Sequence, residues 1–204
     1  MEHDRHGARQ PHRFDPRRAA VLDERERFET LPPPDVFALL DAPKGATVVD
    51  FGTGTGTYAL ELAQSRPDVR VIALDEQPEM LDRLRAKLAA HPVKNVEPLL
   101  SPTSESRALK GKADRVLGLN VLHELGDEAL GEVAALVAPG GVVLFIDWNA
   151  EVERTVGPSR DHVYSPAEAA ARLEARGFEV LRQQRFPLHY GLLCRPKAPG
   201  AQPA

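Results

Sequence analysis

The sequence predicts an α/β domain built on a mostly parallel sheet with helices on both faces, and three observations lead there. From Ala46 onward, short apolar runs alternate with helical segments, which is the pattern of parallel strands joined by crossover helices. The stretch Val48-Val49-Asp50-Phe51-Gly52-Thr53-Gly54-Thr55-Gly56-Thr57-Tyr58 reads as strand, tight loop and helix, with an acid in the apolar run and glycines at alternate positions after it. The ending breaks the alternation. Phe178-Glu179-Val180-Leu181 and Leu188-His189-Tyr190-Gly191-Leu192-Leu193-Cys194 leave no room for a helix between them, so these two runs must pair antiparallel.

Taken in order, the first dozen residues mix charge, Gly and Pro and read as mobile. Their histidines, His3, His6 and His12, lack a shared helical face or a carboxylate at ligand spacing, which argues against a metal site. Pro16 can start a helix running to Arg25, with Phe14 and Phe28 as anchors. After the Leu31-Pro32-Pro33-Pro34 break a short helix covers Asp35 to Leu40. Strand one is Thr47 to Phe51, the next helix stops near Arg66, and strand two, Val69 to Leu74, ends at Asp75. Pro78 opens a helix with Leu81, Leu84 and Leu88 on one face, and strand three is Asn95 to Leu100. Strand four is Ala113 to Asn120, followed by Val121-Leu122-His123-Glu124-Leu125. Asp127 is placed to cap a helix whose Leu130, Val133, Ala134 and Val137 share a face, and Pro139-Gly140-Gly141 turns into strand five, Val142 to Asp147. Ser165 and Glu168 have capping-box spacing for a helix ending at Gly177.

The 204 residues with 42% hydrophobic content allow one sizeable core, and no composition break calls for a second. The organisation expected is an N-terminal mobile or lid segment over 1–31, one folded domain over 32–196 and a disordered tail over 197–204. A net charge of −4 argues against a polyanion-binding face, so nucleic acid is not an expected partner. No run approaches the ~20 apolar residues of a membrane span, and Cys194 is the single cysteine, which excludes an internal disulfide and fits a cytoplasmic location. Oligomeric state is not legible.

Glycines at Gly52 and Gly54 let a backbone turn sharply and remove side chains that would hold a ligand away from the amides of a helix start. The spacing is G-x-G-x-G, with Thr57 where a dinucleotide fingerprint has its third glycine, which counts against a nicotinamide-dependent oxidoreductase. Asp75 follows Gly56 by 19 positions, where a carboxylate can accept both hydroxyls of a ribose; the competing reading is a cap on the following helix. Asp50 is read as orienting the loop or meeting a ligand amine, with a purely structural role nearly as good.

The segments VVDFGTGTGTYALELA, VIALDEQPEML, ADRVLGLNVLHEL, VAPGGVVLFIDW and GFEV followed by HYGLLC resemble the class I S-adenosylmethionine-dependent methyltransferases from Phe14 to Arg195. Within them, the opening RFDP and the IDW after strand five look most like small bacterial members of the ubiquinone/menaquinone-biosynthesis group. The resemblance implies a Rossmann-like seven-stranded sheet with an antiparallel C-terminal strand. It further implies S-adenosylmethionine (SAM) as cofactor, a SAM-binding methyltransferase domain over 32–196 and a small or medium-sized acceptor. Carried onto this chain, it places the methionyl part against the backbone of Gly52, Thr53, Gly54 and Thr55, the ribose on Asp75 with Glu76 beside it, Met80 near the adenine, and the backbone of Asn120 on the cofactor. Relatives usually carry an acid after strand three for the adenine amine, whereas this chain has Ser101-Pro102-Thr103, so the hydroxyls of Ser101 and Thr103, or Glu105, are expected to substitute. His123 is the candidate catalytic residue, set against a hydrogen-bonded structural histidine; Tyr190 is read as packing. A non-catalytic SAM-binding protein is the alternative from another class.

Overall fold

The computed structural model describes residues 14–197, so the expectations for His3, His6, His12 and the tail after Lys197 lie outside the described residues. Seven strands form one sheet in the order β3-β2-β1-β4-β5-β7-β6. They are β1 (Thr47–Phe51), β2 (Arg70–Asp75), β3 (Val96–Leu100), β4 (Ala113–Leu119), β5 (Val137–Trp148), β6 (Phe178–Arg185) and β7 (His189–Pro196). The first five run parallel, and β7 lies antiparallel between β5 and β6, as the helix-free ending requires. Strand order reverses between β1 and β4, which opens a crevice above their carboxyl ends, the place where ligands bind in sheets of this kind.

The helices are α1 (Arg27–Thr30), α2 (Pro33–Leu40), α3 (Thr57–Ser65), α4 (Pro78–Ala90), α5 (Ser104–Arg107), α6 (Asp127–Leu136) and α7 (Pro166–Ala175). Each face of the sheet has its own core. Leu39, Tyr58, Leu62 and Leu84 close over Val71, Leu117 and Ile146 on one side. On the other, Leu130, Val133 and Leu173 pack with Phe145, Phe178 and Tyr190. Each such buried aliphatic side chain contributes about 1.5–3 kcal/mol, so the sheet is clamped from both faces.

Three boundaries differ from the sequence reading. The segment from Pro16 is a 3₁₀ helix that stops at Asp23, with Asp15 as its cap, because its weak apolar stripe buries only Ala19 and cannot hold a longer helix against the sheet. Asp127 is the first residue of α6 rather than its cap, a role taken by Gly126; the Asp127 carboxylate instead meets Arg176 Nη2 at 2.5 Å. Strand β5 already pairs at Val137 with Ala113, and Pro139-Gly140-Gly141 is looped out where the register shifts between Ala113 and Arg115. The capping box of Ser165 and Glu168 is formed as read.

Gly56 sits at φ 75°, and a Cβ there would lie 2.5 Å from Leu84 Cδ1, so the turn into α3 has space for α4 only without a side chain. Gly56→Ala is expected to destabilise the fold by about 1–3 kcal/mol through this overpacking, read as a lower denaturation midpoint with unchanged m-value.

Candidate functional site

The loop after β1 is held by its own backbone. Leu74 carbonyl accepts the amides of Gly52 at 2.8 Å and Thr53 at 3.0 Å, and Asp75 Oδ2 accepts the amide of Gly54 at 2.7 Å. The other Asp75 oxygen takes the amide of Gln77 at 2.9 Å, at the head of α4. Asp75 therefore restrains the helix start and also borders the crevice. Gly52 and Gly54 have φ of 70° and 57°; a Cβ on Gly52 would strike Val121 Cγ1 at 2.6 Å. Asp50 is buried below the loop and accepts the hydroxyl of Thr53 at 2.6 Å, and burial pushes its carboxyl up to about 6.

The segment Phe14 to Asp23 lies over this loop as a strap. Asp23 Oδ1 accepts Thr55 Oγ1 at 2.5 Å, Thr57 Oγ1 at 2.8 Å and Lys87 Nζ at 2.5 Å. Leu22 Cδ1 would be 3.0 Å from a Cβ on Gly54. At the other end, Phe14 donates its amide to Glu124 Oε2 at 3.3 Å and accepts from Gln77 Nε2 at 3.2 Å.

Among the other expected cofactor residues, Met80 is buried against the sheet and Glu76 follows Asp75 at the exposed rim. Ser101 hydrogen-bonds through its amide to Asp75 carbonyl at 2.9 Å. The Thr103 hydroxyl caps α5, accepting the amide of Ser106 at 3.1 Å and donating to Leu100 carbonyl at 3.0 Å, and Glu105 accepts from Ser104 Oγ. Of the three groups expected to replace the missing acid, Thr103 and Glu105 thus already bond within the turn. Asn120 has φ 57°, donates its amide to Ile146 carbonyl at 2.7 Å and buries a side-chain oxygen that has no partner among the described residues.

His123 stands after β4 and is clamped by Asp147 at the end of β5. That fully buried carboxylate accepts the amides of His123 at 2.8 Å and Trp148 at 2.7 Å and meets His123 Nδ1 at 2.8 Å. Nε2 faces Glu124 Oε1 at 3.6 Å. Burial alone would lower the His123 pKa, but Asp147 reverses this and the net direction is upward. Burial pushes the Glu124 carboxyl up to about 7. His189 and Tyr190 point to opposite faces: Tyr190 packs in the core, and His189 stacks on Trp148 with ring centroids 4.1 Å apart.

A family model described as a methyltransferase domain matches residues 48–141, from the loop strand to the start of β5. The solved structure of a SAM-dependent methyltransferase from Aquifex aeolicus superposes with a TM-score of 0.81 at 30% identity, covering 89% of this chain and 98% of that one. The chain belongs to the S-adenosylmethionine-dependent methyltransferases. SAM is the cofactor of that family, which sets aside the nicotinamide alternative. An uncharacterized methyltransferase of Emericella nidulans is 30% identical over 66% of this chain and 57% of its own length. A release factor glutamine methyltransferase of Mycolicibacterium smegmatis is 34% identical over 51% of this chain and 39% of its own. The chain spans about half the length of the curated relatives it matches.

The methyltransferase also brings residues to the crevice that the sequence reading passed over. Glu124 was flagged only by its place beside His123. Asp23 and Lys87 are 64 positions apart and carried no local signal. An open groove lined by Phe28, Pro33, Phe37, Glu61 and Arg66 holds none of the residues placed around the glycine loop.

His189 is buried with neither ring nitrogen partnered among the described residues, and burial holds its pKa down at about 4. Between about pH 4 and 6.5 the unfolded chain binds a proton that the folded chain refuses, so stability falls as pH drops through that window. His189→Phe should flatten this acid-side loss in denaturant titrations at pH 7, 6, 5 and 4.5; an unchanged slope would show that another group sets it.

Proposed function

We propose that this methyltransferase moves a methyl group from SAM to a small or medium-sized acceptor by in-line displacement. The observation that carries the reading is the pairing of Gly54 with Asp75 at the switch point of the sheet. Each Asp75 oxygen spends one lone pair on a backbone amide and keeps another, so the carboxylate is oriented and can still accept two ribose hydroxyls. The glycine loop would take the methionyl part along Gly52, Thr53, Gly54 and Thr55, with Glu76 at the ribose rim and Met80 and Ser101 on the adenine side. The partnerless oxygen of Asn120 is a further acceptor there. Asp50 would meet the ammonium, because its Oδ2 serves Thr53 and its Oδ1 receives nothing from the described residues.

When bound, the cofactor supplies an already activated sulfonium methyl, so the chain's own task is alignment, exclusion of water and removal of an acceptor proton. Residues 14–31 serve as the lid, latched by Asp23 to Lys87 and the loop hydroxyls. His123 and Glu124 are the proton acceptors: Asp147 fixes the Nδ1 side, leaving Nε2 beside a carboxyl poised near neutrality. A small acceptor agrees with the net charge of −4. Relatives include a release factor glutamine methyltransferase and a ribosomal RNA small subunit methyltransferase, each matched over 39% of its length, so a protein or RNA acceptor is the contrast to test. The RFDP and IDW segments support the narrower grouping with quinone-biosynthesis enzymes, which makes quinone precursors and phenols the first acceptors to try.

A transfer screen with methyl-labelled SAM against quinone precursors, phenols, amines, thiols, release factor and ribosomal RNA is expected to label a small molecule; labelling of macromolecules alone would overturn the acceptor reading. Asp75→Ala should weaken SAM binding by about 1–3 kcal/mol in calorimetry, since the ribose loses a charged acceptor. Undiminished affinity would remove Asp75 from the site. With an acceptor in hand, log kcat should rise with pH through about 7 as the Glu124 carboxyl ionises, and Glu124→Gln should remove that limb. Persistence of the limb in the variant would exclude Glu124 as its source.

A further inference from the structure

Arg172, in the last turn of α7, reaches across to the turn after β4 that carries His123 and Glu124. Its Nη1 donates to Leu122 carbonyl at 3.0 Å and its Nη2 donates to Leu125 carbonyl, so the fork closes on the two carbonyls that bracket the pair. A basic residue so near a helix end ordinarily serves that helix's own last carbonyls. Arg172 instead reaches 50 and 47 positions back along the chain. Nor is it spent on an acid: Asp127 meets Arg176 at 2.5 Å and stands 3.9 Å from Arg172. The guanidinium also lies over the Tyr164 ring, 5.2 Å from its centroid, and so ties the loop after β5 to the same turn.

The turn has few bonds of its own. The amides of Glu124 and Leu125 share Val121 carbonyl at 2.8 and 3.1 Å, and His123 is held from outside by Asp147. The backbone from Leu122 to Leu125 sets how far Glu124 Oε1 stands from His123 Nε2, a distance of 3.6 Å. Without the guanidinium, Leu122 carbonyl would keep only the long 3.4 Å bond from the Leu125 amide, and an under-satisfied carbonyl at so buried a residue is costly enough to shift the turn. A planar guanidinium fixes two acceptors at once, a two-pronged geometry that an ammonium lacks. The main charges acting on Glu124 are those of His123, Asp147 and Asp75, with the Phe14 amide facing it from the strap; Arg172 is not among them. What Arg172 does to Glu124 it therefore does through the backbone.

We propose that Arg172 is a positioning residue for methyl transfer, bracketing the turn after β4 so that the Glu124 carboxyl is held part-buried beside His123. The inference rests on the proton-acceptor reading above and gives α7 a part in it. Because the same guanidinium lies over Tyr164, it also keeps the loops after β4 and β5 at one spacing.

Carbon-13 NMR of the full chain with labelled glutamate carboxyls, Glu124→Gln assigning the resonance, follows the Glu124 titration without need of an acceptor. In the unaltered protein it should lie at about 7. Arg172→Met is expected to bring it down by about one pH unit or more toward the ordinary carboxylate range, as the turn loosens and water reaches the carboxyl, and Arg172→Lys to give a smaller fall. A merely structural Arg172 would lower the denaturation midpoint and leave the titration in place; that result, or an upward shift, overturns the proposal. Should Arg172→Met not fold, Arg172→Lys decides alone, and an unmoved titration in it overturns the proposal. With an acceptor from the screen above, Arg172→Met should lower kcat by about 10- to 100-fold while SAM affinity stays within about twofold, and a loss confined to SAM binding would equally overturn it. If Glu124 of the unaltered protein titrates in the ordinary carboxylate range, the proton-acceptor reading itself falls, and Arg172 with it.

Discussion

The structure turns on how the end of β2 holds the loop that follows β1. Two amides of that loop, those of Gly52 and Thr53, converge on Leu74 carbonyl, and a third, that of Gly54, reaches the Asp75 carboxylate. A loop with three glycines at positive φ has little stiffness of its own and would otherwise sample many shapes. Fastening it to the neighbouring strand turns it into a fixed floor, and the parallel register of Phe51 with Leu74 puts the fastening groups at the right height. Gln77 ties the same carboxylate to the head of α4, so loop, strand and helix share one anchor.

The crevice above that floor is crowded with acids. Asp50, Asp75 and Asp147 are buried, Glu124 is partly so, and the Asp75 charge raises the carboxyls of Asp50 and Glu124 in addition to the effect of burial. Buried carboxylates are costly unless hydrogen-bonded or paired. Asp75 and Asp147 meet that cost with backbone amides, which is why their positions are rigid. Asp50 and Glu124 do so incompletely. A site built in this way favours a ligand that brings positive charge, and a sulfonium nucleoside with an α-ammonium brings two such charges.

How much of this could be read beforehand follows from the range of each interaction. Strand and helix order was legible because periodicity is local: Val48 to Tyr58, the Pro78 start and the Ser165–Glu168 box each declare themselves within a dozen residues. The antiparallel end was legible for a similar reason, the lack of chain for a crossover between Leu181 and Leu188. Boundaries failed where a tertiary contact overrode local preference, as when Arg176 drew Asp127 away from capping or Ala113 pulled Val137 into β5. The tight turn that floors the crevice was legible at Gly52 and Gly54, because positive φ is what a glycine in such a loop announces. The use of the Thr103 hydroxyl as the cap of α5 was not legible, nor was the contact of Asp23 with Lys87, whose residues lie far apart in sequence.

The strap makes the two halves of the crevice dependent on each other. Its front end, through Phe14, touches Gln77 at the head of α4 and Glu124 after β4, while its rear end, through Asp23, touches Thr55, Thr57 and Lys87 beside the loop. Phe14 binds Glu124 by a backbone amide, which stabilises the ionised carboxylate and pulls its titration against the push from burial. Under the proposed reading, closure over the cofactor and activation of the proton acceptor are therefore one event. A closed strap favours the charged form of Glu124, and an open one removes that donor while admitting water. Part-buried or exposed hydrogen bonds of this kind contribute little singly, so under that reading the strap would open for exchange, while their convergence on both halves of the site would make its closed state specific.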